Sequence, residues 1–65
     1  MRILVNGAWH ELGATQLAAA LEELGYADRT VSTAVNGEFV ACGVRAATAL
    51  SAGDRLEVLA PMQGG

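Results

Sequence analysis

The sequence predicts an α+β roll, with one mixed sheet of about five strands covered by one main helix. Three observations carry this expectation. Asn6-Gly7 and Asn36-Gly37 each separate two β-prone runs, and an Asn-Gly pair between such runs is the strongest short signal for a two-residue hairpin. One stretch of helical periodicity lies between the two hairpins, and the alternating run Arg55-Leu56-Glu57-Val58-Leu59 follows the second.

Met1 to Val5 is aliphatic and reads as the first strand, with a second from Ala8 to about Leu12 folding back on it. Hairpin register puts Ile3, Val5, Ala8, His10 and Leu12 on one side, expected to be the core, and Leu4, Trp9 and Glu11 on the other. Gly13-Ala14 interrupts the strand. Thr15 is the expected N-cap of a helix of about ten residues, because its hydroxyl can accept from the open amides of a first turn. Leu17, Leu21 and Leu24 recur at i, i+4 and i+7, with Ala18 and Ala20 beside them and Glu22 and Glu23 toward solvent. Gly25 supplies a left-handed stop.

Tyr26 to Thr30 is a polar connection, and Val31 to Val35 with Glu38 to Ala41 forms the second hairpin. Val35, Glu38 and Val40 share one of its faces, Ala34 and Phe39 the other. Burial of the two valines turns Phe39 outward. The alanine-rich segment from Cys42 to Ala49 fits either a short helical turn or an irregular crossing. Ser51-Ala52-Gly53-Asp54 is a turn by composition and launches the last strand, where Leu56 and Val58 face inward and Glu57 and Leu59 outward. Pro61 has no amide proton and ends ladder pairing. Residues 1–60 are thus expected to form one domain, and residues 61–65 a flexible C-terminal tail ending in Gly-Gly.

Composition excludes several function classes. A chain of 65 residues supports one core and no second domain. With Cys42 as its only cysteine it forms no intrachain disulfide, and one thiol with one imidazole, His10, does not make a structural zinc site. Its cations are four scattered arginines, Arg2, Arg29, Arg45 and Arg55, against a net charge of −3, which leaves no stripe to follow a phosphate backbone. The N-terminal apolar run of three residues is far below the roughly 7–15 of a signal-peptide core, and no run approaches the about 20 residues of a membrane span. A cytoplasmic chain with neither nucleic acid nor membrane as partner is expected.

No catalytic set emerges. His10 has no nucleophile paired with it, and Cys42 has no adjacent cation or second cysteine to activate it. Glu22-Glu23 reads as a solvated helix face, and the glycines form neither a Walker loop nor a dinucleotide fingerprint. The tail is different. Gly64 and Gly65 lack a Cβ, so an extended Met62-Gln63-Gly64-Gly65 segment of about 14 Å can enter a narrow channel in another enzyme. An α-carboxyl, with an ordinary pKa of about 3.3–3.7, is an anion at neutral pH and a poor electrophile. Adenylation with ATP supplies a leaving group, a sulfur nucleophile then leaves a thiocarboxylate, and Mg²⁺ on the partner neutralises the phosphates. The chain itself needs no cofactor or metal for this and acts as a non-catalytic cosubstrate.

Four stretches, Met1-Arg2-Ile3-Leu4-Val5-Asn6-Gly7, Ala34-Val35-Asn36-Gly37-Glu38-Phe39-Val40, Ser51-Ala52-Gly53-Asp54-Arg55-Leu56-Glu57-Val58 and Pro61-Met62-Gln63-Gly64-Gly65, together resemble the sulfur carrier proteins of thiamine (thiazole) biosynthesis, a ubiquitin-like β-grasp family. The resemblance implies that Gly65 is adenylated by a ubiquitin-activating-like adenylyltransferase of ThiF type. It further implies conversion to the thiocarboxylate with sulfur from a cysteine desulfurase-derived donor, and use by a thiazole synthase of ThiG type. The small subunit of molybdopterin synthase shares the fold and the Gly-Gly ending, but such chains tend to be longer and their tails differ from Met62-Gln63. Another sulfur carrier and a ubiquitin-like modifier stay open as alternatives. Ala41-Cys42-Gly43-Val44-Arg45 departs from the family, which often carries a Pro-Arg pair there. By likeness to the ubiquitin sheet face, the outward set Ala34, Phe39 and Leu59, with Leu4 beside it, is the expected docking surface for the activating enzyme.

Overall fold

The chain forms β1 (Arg2–Val5), β2 (Ala8–Glu11), α1 (Leu17–Glu23), β3 (Ser32–Val35), β4 (Glu38–Val40), a 3₁₀ helix (Cys42–Ala47) and β5 (Arg55–Leu59). The structure is a computed structural model and describes residues 1–60; the expected tail, with Met62, Gln63, Gly64 and the expected attachment residue Gly65, lies outside the described residues. The five strands form one sheet in the order β2-β1-β5-β3-β4. Every pairing is antiparallel except that of β1 with β5, which is parallel. This is the expected mixed sheet with one main helix.

Both hairpins turn where the sequence places them. Asn6 and Gly7 have φ of 49° and 83°, Asn36 and Gly37 of 51° and 85°, the double left-handed geometry of a type I′ turn. The registers Val5↔Ala8 and Val35↔Glu38 follow directly. Helix α1 ends as Gly25 predicts. The Gly25 amide donates to Glu22 O (3.1 Å) and the Tyr26 amide to Leu21 O (2.8 Å), the paired bonds of a Schellman stop.

Ile3, Leu17, Ala20 and Leu56 are fully buried, and Val5, Leu12, Leu21, Leu50 and Val58 complete the core. Each buried Val, Leu or Ile side chain among them contributes about 1.5–3 kcal/mol relative to exposure. Leu17, Ala20, Leu21 and the half-buried Leu24 form the inner stripe of α1.

Two expectations are corrected. Ala8 and His10 are exposed, as is all of β2. A seven-residue helix is about 10 Å long, whereas five strands span about 19 Å, so the helix leaves the β2 edge uncovered and only Leu12, past its end, reaches the core. Thr15 is not a cap. The helix begins after Gln16, which is extended and makes no side-chain capping bond. Thr15 and Gln16 instead pair with a distant segment: Leu50 N–H donates to Thr15 O (2.9 Å), Leu17 N–H donates to Thr48 O (2.8 Å), and Gln16 bridges Ala49. Held extended by that bridge, these residues cannot join the helix, which is correspondingly shorter than expected.

The alanine-rich segment resolves as the 3₁₀ helix, and Arg45 ties it to the sheet. Its Nε donates to Thr33 Oγ1 (3.0 Å) and Nη2 to Val31 O (2.7 Å), while Thr33 Oγ1 donates to Val40 O (2.8 Å). Thr33 is the buried polar residue of the described chain, and both of its roles are satisfied. Among the described residues, no helix is long and apolar enough to cross a membrane.

Candidate functional site

The helix covers one face of the sheet, and among the described residues no element covers the other. Strand alternation sends Leu4 and Trp9, Arg55 and Glu57, Ala34 and Phe39, and Leu59 to that open face. Phe39 is 73% exposed and Leu59 66%, and the half-buried Ala34 lies directly across from Phe39. These three expected docking residues therefore share one surface at the β5-β3-β4 end. Leu4, also expected there, is half-buried and separated from them by Arg55 and Glu57.

Trp9 belongs to the same face and was not in the expected docking set. It lies opposite Leu4, is 52% exposed, and carries the Arg2 guanidinium 4.6 Å from its ring centroid, a cation–π distance. The signal for it was present in the hairpin register that already placed Trp9 beside Leu4. A shallow groove of about 250 Å³ between these clusters is lined by Leu4, Asn6, Arg55 and Glu57 among others. It falls below the roughly 300–1,000 Å³ usual for small-molecule sites.

The residues set aside as catalytic candidates stay apart. His10 lies on the exposed edge strand and Cys42 is an exposed free thiol at the start of the 3₁₀ helix. Among the described residues, no three His, Cys, Asp or Glu side chains gather to hold a metal. Glu22 and Glu23 are both exposed, but Glu23 has a structural task. Its carboxylate accepts from Gly13 N–H (3.1 and 2.9 Å to its two oxygens) and from Ala14 N–H (2.9 Å). These backbone donors hold its pKa below the ordinary value.

The strand leading toward residues 61–65 is tied at both ends by turn asparagines. At its start, Arg55 N–H donates to Asn36 Oδ1 (2.9 Å), and Asn36 Nδ2 donates to Asp54 Oδ1 (3.0 Å). Near its end, Val58 N–H donates to Asn6 Oδ1 (2.9 Å), and Asn6 Nδ2 donates to Val58 O (3.0 Å). Sequence reasoning reads both asparagines only as turn formers, because these partners lie 52 and 18–19 residues away.

Comparison with known proteins agrees with this architecture. The crystal structure of a thiamine biosynthesis protein, ThiS, from Geobacter metallireducens superposes with a TM-score of 0.84 at 32% identity, covering 100% of both chains. An NMR solution structure of a thiamine biosynthesis protein from the same organism gives 0.78 at 29% identity, covering 100% of this chain and 88% of that one. No curated protein matches the chain in sequence. The fold is the ubiquitin-like β-grasp, and the sequence profile of the ThiS family matches residues 3–65. On that match, together with the full-length structural likeness, the chain belongs to the ThiS family.

Proposed function

We propose that this protein is a sulfur carrier of thiamine biosynthesis and works as a cosubstrate rather than a catalyst. The carboxylate of Gly65 is adenylated by a ThiF-type adenylyltransferase, which uses ATP and Mg²⁺. It is then converted to a thiocarboxylate with sulfur from a cysteine desulfurase-derived donor and spent by a ThiG-type thiazole synthase. Met62, Gln63 and Gly64 enter the partner, the glycines presenting no Cβ to a narrow channel. The reactions take place in the cytoplasm, where ATP is supplied.

The observation that carries this reading beyond family membership is the placement of Leu59. It is the last residue of β5, it is exposed and lies diagonally across from Ala34 on the open face, and only Ala60 stands between it and residues 61–65. A partner that covers this apolar patch therefore meets the outgoing chain at the same place, which suits an enzyme whose target is the terminal carboxylate. Ala34, Phe39 and Leu59 are accordingly assigned to docking and Gly65 to attachment.

ATP–pyrophosphate exchange tests the first step. The activating enzyme should catalyse exchange that depends on this chain, and deletion of Gly65 should abolish it while thermal unfolding stays unchanged. Exchange that persists without Gly65 would show that its carboxylate is not the group activated.

A further inference from the structure

We infer that Asn6 is a positioning residue for the C-terminal segment: its side-chain amide fixes the direction in which the chain leaves the sheet. The inference rests on the reading that residues 61–65 are delivered to an adenylating enzyme. Leu56 and Val58 both turn their backbone polar groups toward β1, as shown by the bonds Asn6 N–H to Leu56 O and Val58 N–H to Asn6 Oδ1. The parallel ladder between β1 and β5, however, contains only Leu4↔Arg55 and Val5↔Leu56. At Asn6-Gly7 the first hairpin turns away, and Val58 has passed beyond the last backbone that β1 can offer.

The Asn6 carboxamide takes the place of that missing strand. It offers one acceptor and one donor on a planar group, like a peptide unit, and pairs with both the N–H and the C=O of Val58. On the opposite side β5 is held as far as Leu59 by its register with Ser32. Two described residues, Leu59 and Ala60, separate this tie from residues 61–65. Without Asn6, the strand end is anchored on one side only and samples a wider range of exit directions. A partner then finds the delivery-competent arrangement in a smaller fraction of molecules, and the apparent affinity falls by that fraction.

Asn36 is an internal control. It sits at the same position of an equivalent turn, has nearly the same φ, and ties the same strand by a side-chain acceptor at Arg55, the end remote from residues 61–65. Glycine tolerates the left-handed backbone at both positions, so Asn6→Gly and Asn36→Gly each remove a carboxamide without imposing turn strain.

The experiment measures ATP–pyrophosphate exchange by a ubiquitin-activating-type adenylating enzyme against carrier concentration, alongside thermal unfolding and amide hydrogen exchange of the free chain. Asn6→Gly is expected to raise KM about fivefold with kcat within twofold, and to speed exchange at Val58, Leu59 and Ala60 relative to Asn36→Gly. Asn36→Gly is expected to leave KM within twofold even where its melting temperature falls as far. An unmoved KM in Asn6→Gly, or an equal rise in Asn36→Gly, overturns the positioning role and leaves the carrier function standing. Absence of exchange with the unaltered chain overturns the functional reading and this inference with it.

Discussion

Replacing Phe39 by alanine separates docking from folding, because most of the ring lies outside the folded interior. Phe39 is 73% exposed, and an aromatic side chain covers 150–250 Å² when buried, so about 150 Å² is open to a partner. At about 25 cal/mol per Å², complete coverage corresponds to about 3.7 kcal/mol. The Cβ that alanine retains, and incomplete coverage at an interface, reduce the expected loss to about 2 kcal/mol, the level of a binding hot spot. That is a rise of about 30-fold in the KM for the carrier. The folded state loses only the covered quarter of the ring and its cross-strand contact with Ala34, worth about 0.2–1 kcal/mol. The assay is ATP–pyrophosphate exchange over a carrier titration, with urea unfolding in parallel. A KM within twofold of the parent would refute the docking assignment, and a stability loss of 2 kcal/mol or more would show that Phe39 serves the fold instead.

Two further perturbations test the physical account of the scaffold. Thr33→Val keeps the shape of the buried side chain but removes the acceptor for Arg45 Nε and the donor to Val40 O; it should lower the unfolding free energy in urea by about 1–3 kcal/mol, and a change below about 0.5 kcal/mol would mean the clamp holds nothing. Glu23 titrates below its ordinary value of 4.5 because Gly13 and Ala14 donate to its carboxylate. Its contribution is therefore full above pH 4.5 and is lost as pH falls through the lowered folded value. The melting-temperature difference between the parent and Glu23→Gln should stay constant from pH 8 to about 5 and shrink below about 4.5, whereas a difference that widens on acidification would contradict this origin.

What the sequence made legible was what local chemistry decides. The left-handed backbone at Asn6-Gly7, Gly25 and Asn36-Gly37 belongs to the residues themselves, so both hairpins and the helix stop appear where expected. The alternation of Arg55 to Leu59 likewise reports its own burial, with Leu56 and Val58 inside. The features that escaped depend on partners far along the chain. Thr15 reads as a cap until Ala49 and Leu50 arrive to hold its neighbourhood extended. His10 and Ala8 read as core until β2 is found exposed throughout beside a helix of only seven residues. The shared outward face of Ala34, Phe39 and Leu59 was legible because hairpin pairing and strand alternation fix faces, and Trp9 was available from the same rules. The carboxamides of Asn6 and Asn36 were not, since a turn signal says nothing about which distant strand its side chain will meet.

Intact-mass analysis tests most directly the proposal that Gly65 carries sulfur. After incubation with the activating enzyme, ATP, Mg²⁺ and a sulfur donor, the chain should gain the mass of one oxygen exchanged for one sulfur, localised by fragmentation to Gly65, and the chain lacking Gly65 should gain nothing. An unchanged mass, or recovery of Gly65 in isopeptide linkage to lysines of other proteins, would contradict the carrier reading.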